Sequence, residues 1–247
     1  MTRPFLSIVI PAHNEENRLP ATLEKIDQFL ATQPYKAEIL VVENGSHDRT
    51  LQVAEEYRKR IPCLRIFQEE ARGKGLAVKR GMLEAEGEYR FICDADLSMP
   101  IAEVNNFLPP ALEPVDVAIG SREAPGAVRY DEPAYRHLVG RVFNTIVRWW
   151  ALPHLQDTQC GFKAFRGQVA EEVFRLQTIG GMSFDVEVLF IARRRGYKIV
   201  EVPIHWYFNP DSRVRLFRDS FRMAADLLSI RRNALRGIYN GPVSVKP

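Results

Sequence analysis

Apolar and polar positions along the chain alternate between two rhythms. FLSIVIP (5–11), AEILVVEN (37–44), LRIFQ (64–68), EYRFICDAD (88–96) and DVAIGSR (116–122) are short apolar runs closed by turn residues, which predicts buried strands. Between them, EENRLPATLEKIDQFLAT (15–32) sets Leu19, Leu23, Ile26 and Leu30 at helical spacing. DRTLQVAEEYRKR (48–60) and GKGLAVKRGMLEAEG (73–87) predict two further helices. Such alternation argues for an α/β fold, with a mostly parallel central sheet and helices on both faces.

Past residue 122 the rhythm loosens. EAPGAVRYDEPAYRH (123–137), with its Pro and Gly, predicts a long functional loop. A helix over 136–152 follows, then DTQCGFKAFR (157–166), a helix near VAEEVFRL, the segment FDVEVLFIARRRGY (184–197) and a strand KIVEVPIHWYF (198–208). LFRDSFRMAADLLSIRRNAL (216–235) predicts a basic amphipathic helix, with Phe217, Phe221, Ala224, Ala225 and Leu228 on its apolar face. Two readings of that helix stand open: one lying in an anionic membrane interface, the other packed on the domain with its basic face in water. Trp149 and Trp150, with Phe143 and Ile146, carry the same ambiguity.

At 247 residues and 46% hydrophobic composition, the chain predicts one unit: residues 1–212 as the main domain and 213–247 as a basic helix and tail belonging to it. The net charge of +3 is modest, but Arg213, Arg215, Arg218, Arg222, Arg231, Arg232 and Arg236 crowd the C-terminal region and suggest an anionic partner. Cys63, Cys93 and Cys160 lack any CxxC spacing, so neither a disulfide framework nor a zinc site is indicated, and a reducing cytoplasm fits. No segment approaches the roughly 18 apolar residues of a spanning helix, so the expectation is a protein peripheral to the inner face of a membrane.

Three polar clusters fall at the carboxyl ends of predicted strands: His13-Asn14-Glu15, Glu43-Asn44-Gly45-Ser46 and Asp94-Ala95-Asp96. Ligands of open α/β sheets bind along that edge. Asp-x-Asp there suits Mg²⁺ or Mn²⁺, hard cations held by one or two carboxylates plus substrate phosphates; taken alone, it is equally a turn pair. Gly73-Lys74-Gly75 opens a helix, where free N–H groups favour an anion, although a tight turn with a solvated lysine would look the same. It is not a Walker A loop, and no GxGxxG follows the first strand, which removes the P-loop and dinucleotide-binding classes.

IVIPAHNEE, VVENGSHDRT, GKGLAVKRG and DADLSMP together resemble the successive motifs of the family 2 glycosyltransferases, whose GT-A fold is Rossmann-like. GSR (120–122), DTQCGFKAF (157–165) and FDVEVLFIARRRGYKIVEVPIHW (184–206) are similar to the subgroup that makes polyprenyl-phosphate sugars, dolichyl-phosphate β-glucosyltransferases before the mannose synthases. The resemblance spans residues 5 to about 230. It implies a metal-dependent inverting transfer of a hexose, glucose from UDP-glucose first, to a polyprenyl or dolichyl phosphate. A GDP-mannose-dependent synthase, a soluble acceptor and, outside enzymes, a nucleic-acid-binding protein stay as alternatives.

The resemblance also implies roles for single residues. Pro11, Ala12, Asn14, Glu15, Glu43, Asn44, Gly45, Lys74, Asp94, Ala95 and Asp96 would border the nucleotide sugar, with Asp94 and Asp96 at the metal. Ser98 stands where mannose synthases often place a Gln ligand, and VENGS replaces the common VDDGS. Ser121, Arg122 and Arg136 would hold the acceptor phosphate, Gly140 replacing a Ser of some relatives. Asp157 would bind sugar hydroxyls in the catalytic set with Asp96 and the two arginines, and Asp185 and Glu187 would orient or brace.

Overall fold

The computed structural model describes residues 3–210 and 216–241; the side chains of residues 136, 138, 139, 142, 143, 146, 149, 216–222 and 224 lie outside the described set. The strands are β1 (Leu6–Ala12), β2 (Ala37–Glu43), β3 (Leu64–Gln68), β4 (Tyr89–Ile92), β5 (Val117–Ser121), β6 (Val128–Tyr130), β7 (Lys163–Arg166), β8 (Ile199–Pro203) and β9 (His205–Tyr207). The helices are α1 (Leu19–Ala31), α2 (Thr50–Arg58), α3 (Lys74–Glu84), α4 (Ala134–Trp150), α5 (Gly167–Leu176), α6 (Phe184–Arg194) and α7 (Leu216–Leu235).

Seven strands form the central sheet in the order β3-β2-β1-β4-β7-β5-β8, and β6 pairs with β9 beside it. Only β7 runs antiparallel within the large sheet, against both β4 and β5. Successive side chains of a strand face opposite ways, so a sheet covered on both faces reads as unbroken apolar runs. Val9, Leu40, Val42 and Ile92 pack with α3, α5 and α6 on one face. Ile8, Ile10, Ile39, Val41 and Phe91 pack with α1 and α2 on the other.

The chain winds from β1 outward through β2 to β3, then returns to place β4 on the other side of β1. This reversal is a topological switch point, where the ends of β1 and β4 separate and leave a crevice. Pairing of β1 with β4 stops at Val9 and Ile92, whereas β1 stays paired with β2 through Ala12 and Glu43. Pro11 therefore occupies a stretch of β1 with a strand on one side only, where its missing N–H is tolerated.

Four elements differ from the pattern in the sequence. FDVEVLFIARR is helix α6; its first six residues are all buried, which hides a helical period. KIVEVPIHWYF splits between β8 and β9, and the loop at 123–137 donates β6 to pair with β9. The residues of α7 facing the domain are Met223, Leu227, Ile230 and Ala234, a stripe at helical spacing. Of the face read as apolar, Ala225 and Leu228 are exposed, while Phe217, Phe221 and Ala224 lie outside the described side chains, as do Arg213, Arg215, Arg218 and Arg222. Among the described residues, no helix is long and apolar enough to cross a membrane.

Candidate active site

A cleft of about 620 Å³ opens at the β1–β4 switch point. Its floor is Pro11 and Ala12 from the end of β1, with Asp94, Ala95 and Asp96 following β4. Glu15, Asn44, Gly73 and Lys74, from the loops after β1, β2 and β3, border it together with Arg122, Asp157 and Trp206, while Asp185 lies near Lys74. The polar clusters at three strand ends thus share one edge, as their positions predict. Asn14, Glu43, Gly45 and Ser121 do not line it. Ser121 is fully buried, and its hydroxyl accepts the N–H groups of Glu123 and Ala124. Glu43 accepts the Ser46 N–H at 2.5 Å and so shapes the turn after β2. Asn14 has φ 56° and accepts the His47 N–H through its side-chain oxygen. The Arg136 side chain lies outside the described residues.

Asp94 and Asp96 are engaged differently. Asp96 Oδ1 accepts the Ser98 N–H at 3.1 Å, an Asx turn. Asp94 Oδ1 stands 2.7 Å from Lys74 Nζ. Burial alone would lower the Lys74 pKa, but the Asp94 carboxylate reverses this and raises it, with Asp185 and Asp96 adding to the effect. Against Asp94 lies the backbone of Gly161: a Cβ there would come 2.2 Å from Asp94 Oδ2. That explains a glycine in DTQCGFK, since any side chain would displace the carboxylate. Among the described residues no group of three or more His, Cys, Asp or Glu forms a ready metal site. Two carboxylates lining an open cleft nevertheless suit Mg²⁺ or Mn²⁺, which take their remaining oxygens from water and substrate phosphate.

Asp157 is 1% exposed and committed to Arg122. The guanidinium donates to its two oxygens from Nε at 2.7 Å and Nη2 at 3.0 Å, and the Arg122 backbone N–H adds 3.0 Å to Oδ2. Burial would raise the Asp157 pKa, but Arg122 overrides it and holds the carboxyl at about 2. Asp157 therefore orients the arginine read as an acceptor-phosphate ligand. Glu201 in turn accepts the Gln156 and Asp157 N–H groups, both at 2.9 Å. The Arg122 guanidinium also lies 5.4 Å from the Trp206 ring centre, and Arg129 sits 6.0 Å from the same ring. Arg129 is itself clamped by Glu123 and Glu132, each at 2.5 Å.

Lys163 and Asp185 form a buried pair at 2.6 Å at the edge of the cleft, and the ammonium also donates to the Cys160 carbonyl. Burial raises the Asp185 pKa against the opposing pull of Lys163 and Lys74. Glu187 is fully buried and accepts from Thr178 N–H and O–H, Ile179 N–H and Tyr239 O–H, an anchor remote from the cleft lining. The motif reading passed over Lys163, Trp206, Gly161 and Arg129. A lysine inside the apolar run FKAF was the available signal for Lys163; for Arg129 no local signal exists, because only β6–β9 pairing brings it to Trp206.

Comparison with known proteins places the chain among glycosyltransferases. Dolichyl-phosphate beta-glucosyltransferase of Dictyostelium discoideum is 32% identical over 95% of this chain and 76% of its own length. That of Saccharomyces cerevisiae is 33% identical over the same shares, and that of Homo sapiens 30% over 95% and 77%. Among solved structures, glucosyl-3-phosphoglycerate synthase of Mycobacterium tuberculosis superposes with a TM-score of 0.67 at 20% identity, covering 92% of this chain and 80% of that one. The same synthase has been crystallised with Mn²⁺, UDP-glucose and phosphoglyceric acid, with a TM-score of 0.65 at 19% identity over 92% and 79% of the two chains. The family model for glycosyl transferase family 2 matches residues 7–174, a span that includes the carboxylates after β4 and the Arg122–Asp157 pair, and the chain belongs to that family of nucleotide-sugar glycosyltransferases.

Proposed function

We propose that this enzyme transfers glucose from UDP-glucose to a polyprenyl or dolichyl phosphate, with inversion at the anomeric carbon, at a membrane surface. The observation that carries the reading is a cleft with carboxylates on one lip and an oriented arginine on the other, in a chain whose curated relatives are named for dolichyl-phosphate glucosylation.

A phosphate monoester has its second pKa near 6, so its oxygen is nucleophilic at neutral pH without a protein base. Arg122, aimed by Asp157 and backed by Trp206, orients that phosphate. The acceptor oxygen forms a bond to the anomeric carbon as the bond from that carbon to the UDP oxygen breaks, and the electron pair leaves with UDP. Lys74, at the opening of α3 and lining the cleft, would neutralise the departing diphosphate. Asp94 and Asp96 would hold a divalent cation, which supplies charge neutralisation for the leaving group.

The test is transfer from radiolabelled UDP-glucose, GDP-mannose and other donors to a short polyprenyl phosphate, with and without EDTA. Glucosyl lipid formed from UDP-glucose and lost with EDTA is the expected result. Turnover indifferent to EDTA ends the metal assignment, and turnover on a sugar alcohol but not on lipid phosphate ends the acceptor assignment.

A further inference from the structure

We infer that Asn44 is a positioning residue for the donor's diphosphate, acting through the loop at 69–73 and through chemistry that an aspartate at the same place could not perform. Asn44 follows β2 and is 3% exposed. Its backbone is fixed on both sides: its N–H donates to the Ala12 carbonyl at 2.9 Å, and its carbonyl stands 2.7 Å from His13 Nδ1. The side chain then reaches across to the loop that carries Lys74. Oδ1 accepts the Gly73 N–H at 2.8 Å, while Nδ2 donates to the Ala71 carbonyl at 2.6 Å and to the Glu69 carbonyl at 3.3 Å.

The polarity of these contacts is the argument. One end of the side chain meets an N–H and the other meets two carbonyl oxygens, so the partners require one acceptor and one donor, which is a primary amide. A carboxylate offers acceptors only and would set an anionic oxygen against the Ala71 and Glu69 carbonyls. VENGS in place of VDDGS is on this reading matched to the loop it holds. The loop has few other fixings: Glu69 N–H donates to the Glu43 carbonyl at 2.8 Å. Gly73 lies flush on Gly180, where a Cβ would come 2.3 Å from its carbonyl oxygen. Lys74 is the next residue and Arg72 the one before, and both line the cleft. Fixing Gly73 therefore fixes the start of α3 and the origin of the Lys74 side chain, the group set against the diphosphate in the proposed function, on which this inference rests.

Asn44→Asp, with Asn44→Ala as the variant that removes both contacts without adding charge, tests it. Amide hydrogen exchange at residues 69–76, read on the intact protein without substrate, is expected to quicken at least tenfold in Asn44→Asp while the strands of the sheet keep their protection. In the transfer assay, KM for UDP-glucose rises about tenfold, the size of one lost buried hydrogen bond, with KM for the lipid phosphate unchanged. Unaltered exchange at 69–76 in both variants overturns the inference, whatever the substrates are. Equal rises in both KM values, or a lowered melting temperature with no donor-specific effect, reduce Asn44 to a fold residue and overturn it too. Absence of wild-type turnover on UDP-glucose counts against the proposed function alone, since the exchange measurement still decides the role of Asn44.

Discussion

The two lips of the cleft are built on different principles. On the side proposed for the donor, β3-β2-β1-β4 are all parallel and consecutive in the chain, and β1, β2 and β4 each contribute a short polar cluster at their own carboxyl ends. On the side proposed for the acceptor, β7 runs antiparallel between β4 and β5, and the residues arrive from segments far apart: Arg122 meets Asp157 35 residues on, and the Trp206 ring lies 5.4 Å from the Arg122 guanidinium and 6.0 Å from that of Arg129. The loops on the proposed donor side are pinned mainly by backbone and amide contacts, with one ion pair, Lys74–Asp94, among them. On the other side carboxylates hold the cations, the buried Asp157 for Arg122 and the half-buried Glu123 and Glu132 for Arg129, so its geometry depends on ion pairs that titration or single substitutions can break.

Asp96→Ala carries the largest expected effect, a loss of about 10³-fold in kcat, on the scale of several kcal/mol for a metal's charge stabilisation, with thermal stability almost unchanged because Asp96 faces the open cleft. Wild-type-like turnover in a metal-titrated assay would remove Asp96 from the chemistry. Asp157→Ala tests the opposite lip. It strands the Arg122 guanidinium and is expected to lower unfolding free energy by about 3 kcal/mol, read by urea melts, while UDP affinity by calorimetry stays within about twofold. A matching loss of UDP affinity would erase the distinction between the lips.

Acid sharpens the same contrast. The Asp157 carboxyl sits at about 2, below the ordinary 3.8, so its stabilisation is complete above the unfolded value and disappears as pH falls through the folded one. Between about pH 5 and pH 2 this pair should contribute a loss on the order of 2 kcal/mol. Asp157→Asn should show a correspondingly shallower acid profile in denaturant melts; parallel profiles would mean that the pair is not what acid breaks. The smallest effect belongs to Ser98→Ala. Ser98 serves through its backbone N–H to Asp96 and its carbonyl to the Tyr207 N–H, and kcat should stay within about threefold; a larger fall would make its hydroxyl a ligand.

These differences also explain what could be read in advance. The donor lip was legible because each cluster adjoins its own strand, and a parallel sheet covered on both faces forces strand ends onto one edge. Even there, the partners were not: the Lys74–Asp94 pair and the reach of Asn44 to Gly73 cross 20 and 29 residues. On the acceptor lip, Arg122 and Asp157 were named, but their mutual bond was not foreseen. Helix α7 shows the same limit. Its charge and spacing left two settings open, a membrane interface or the domain surface, and among its described side chains it is Met223, Leu227, Ile230 and Ala234, not the face read as apolar, that are buried against the domain.

What the amino-acid sequence determined by itself is the alternation of strands and helices, the family, and the residue types at the strand ends, because these depend on local periodicity and on short motifs. What only the tertiary structure decided is the partner of each charged group: Asp157 to Arg122, Asp94 to Lys74 and Lys163 to Asp185. A side chain's role at a site follows from what neutralises or aims it, and those neighbours are supplied by the packing of distant segments around the switch point of the sheet.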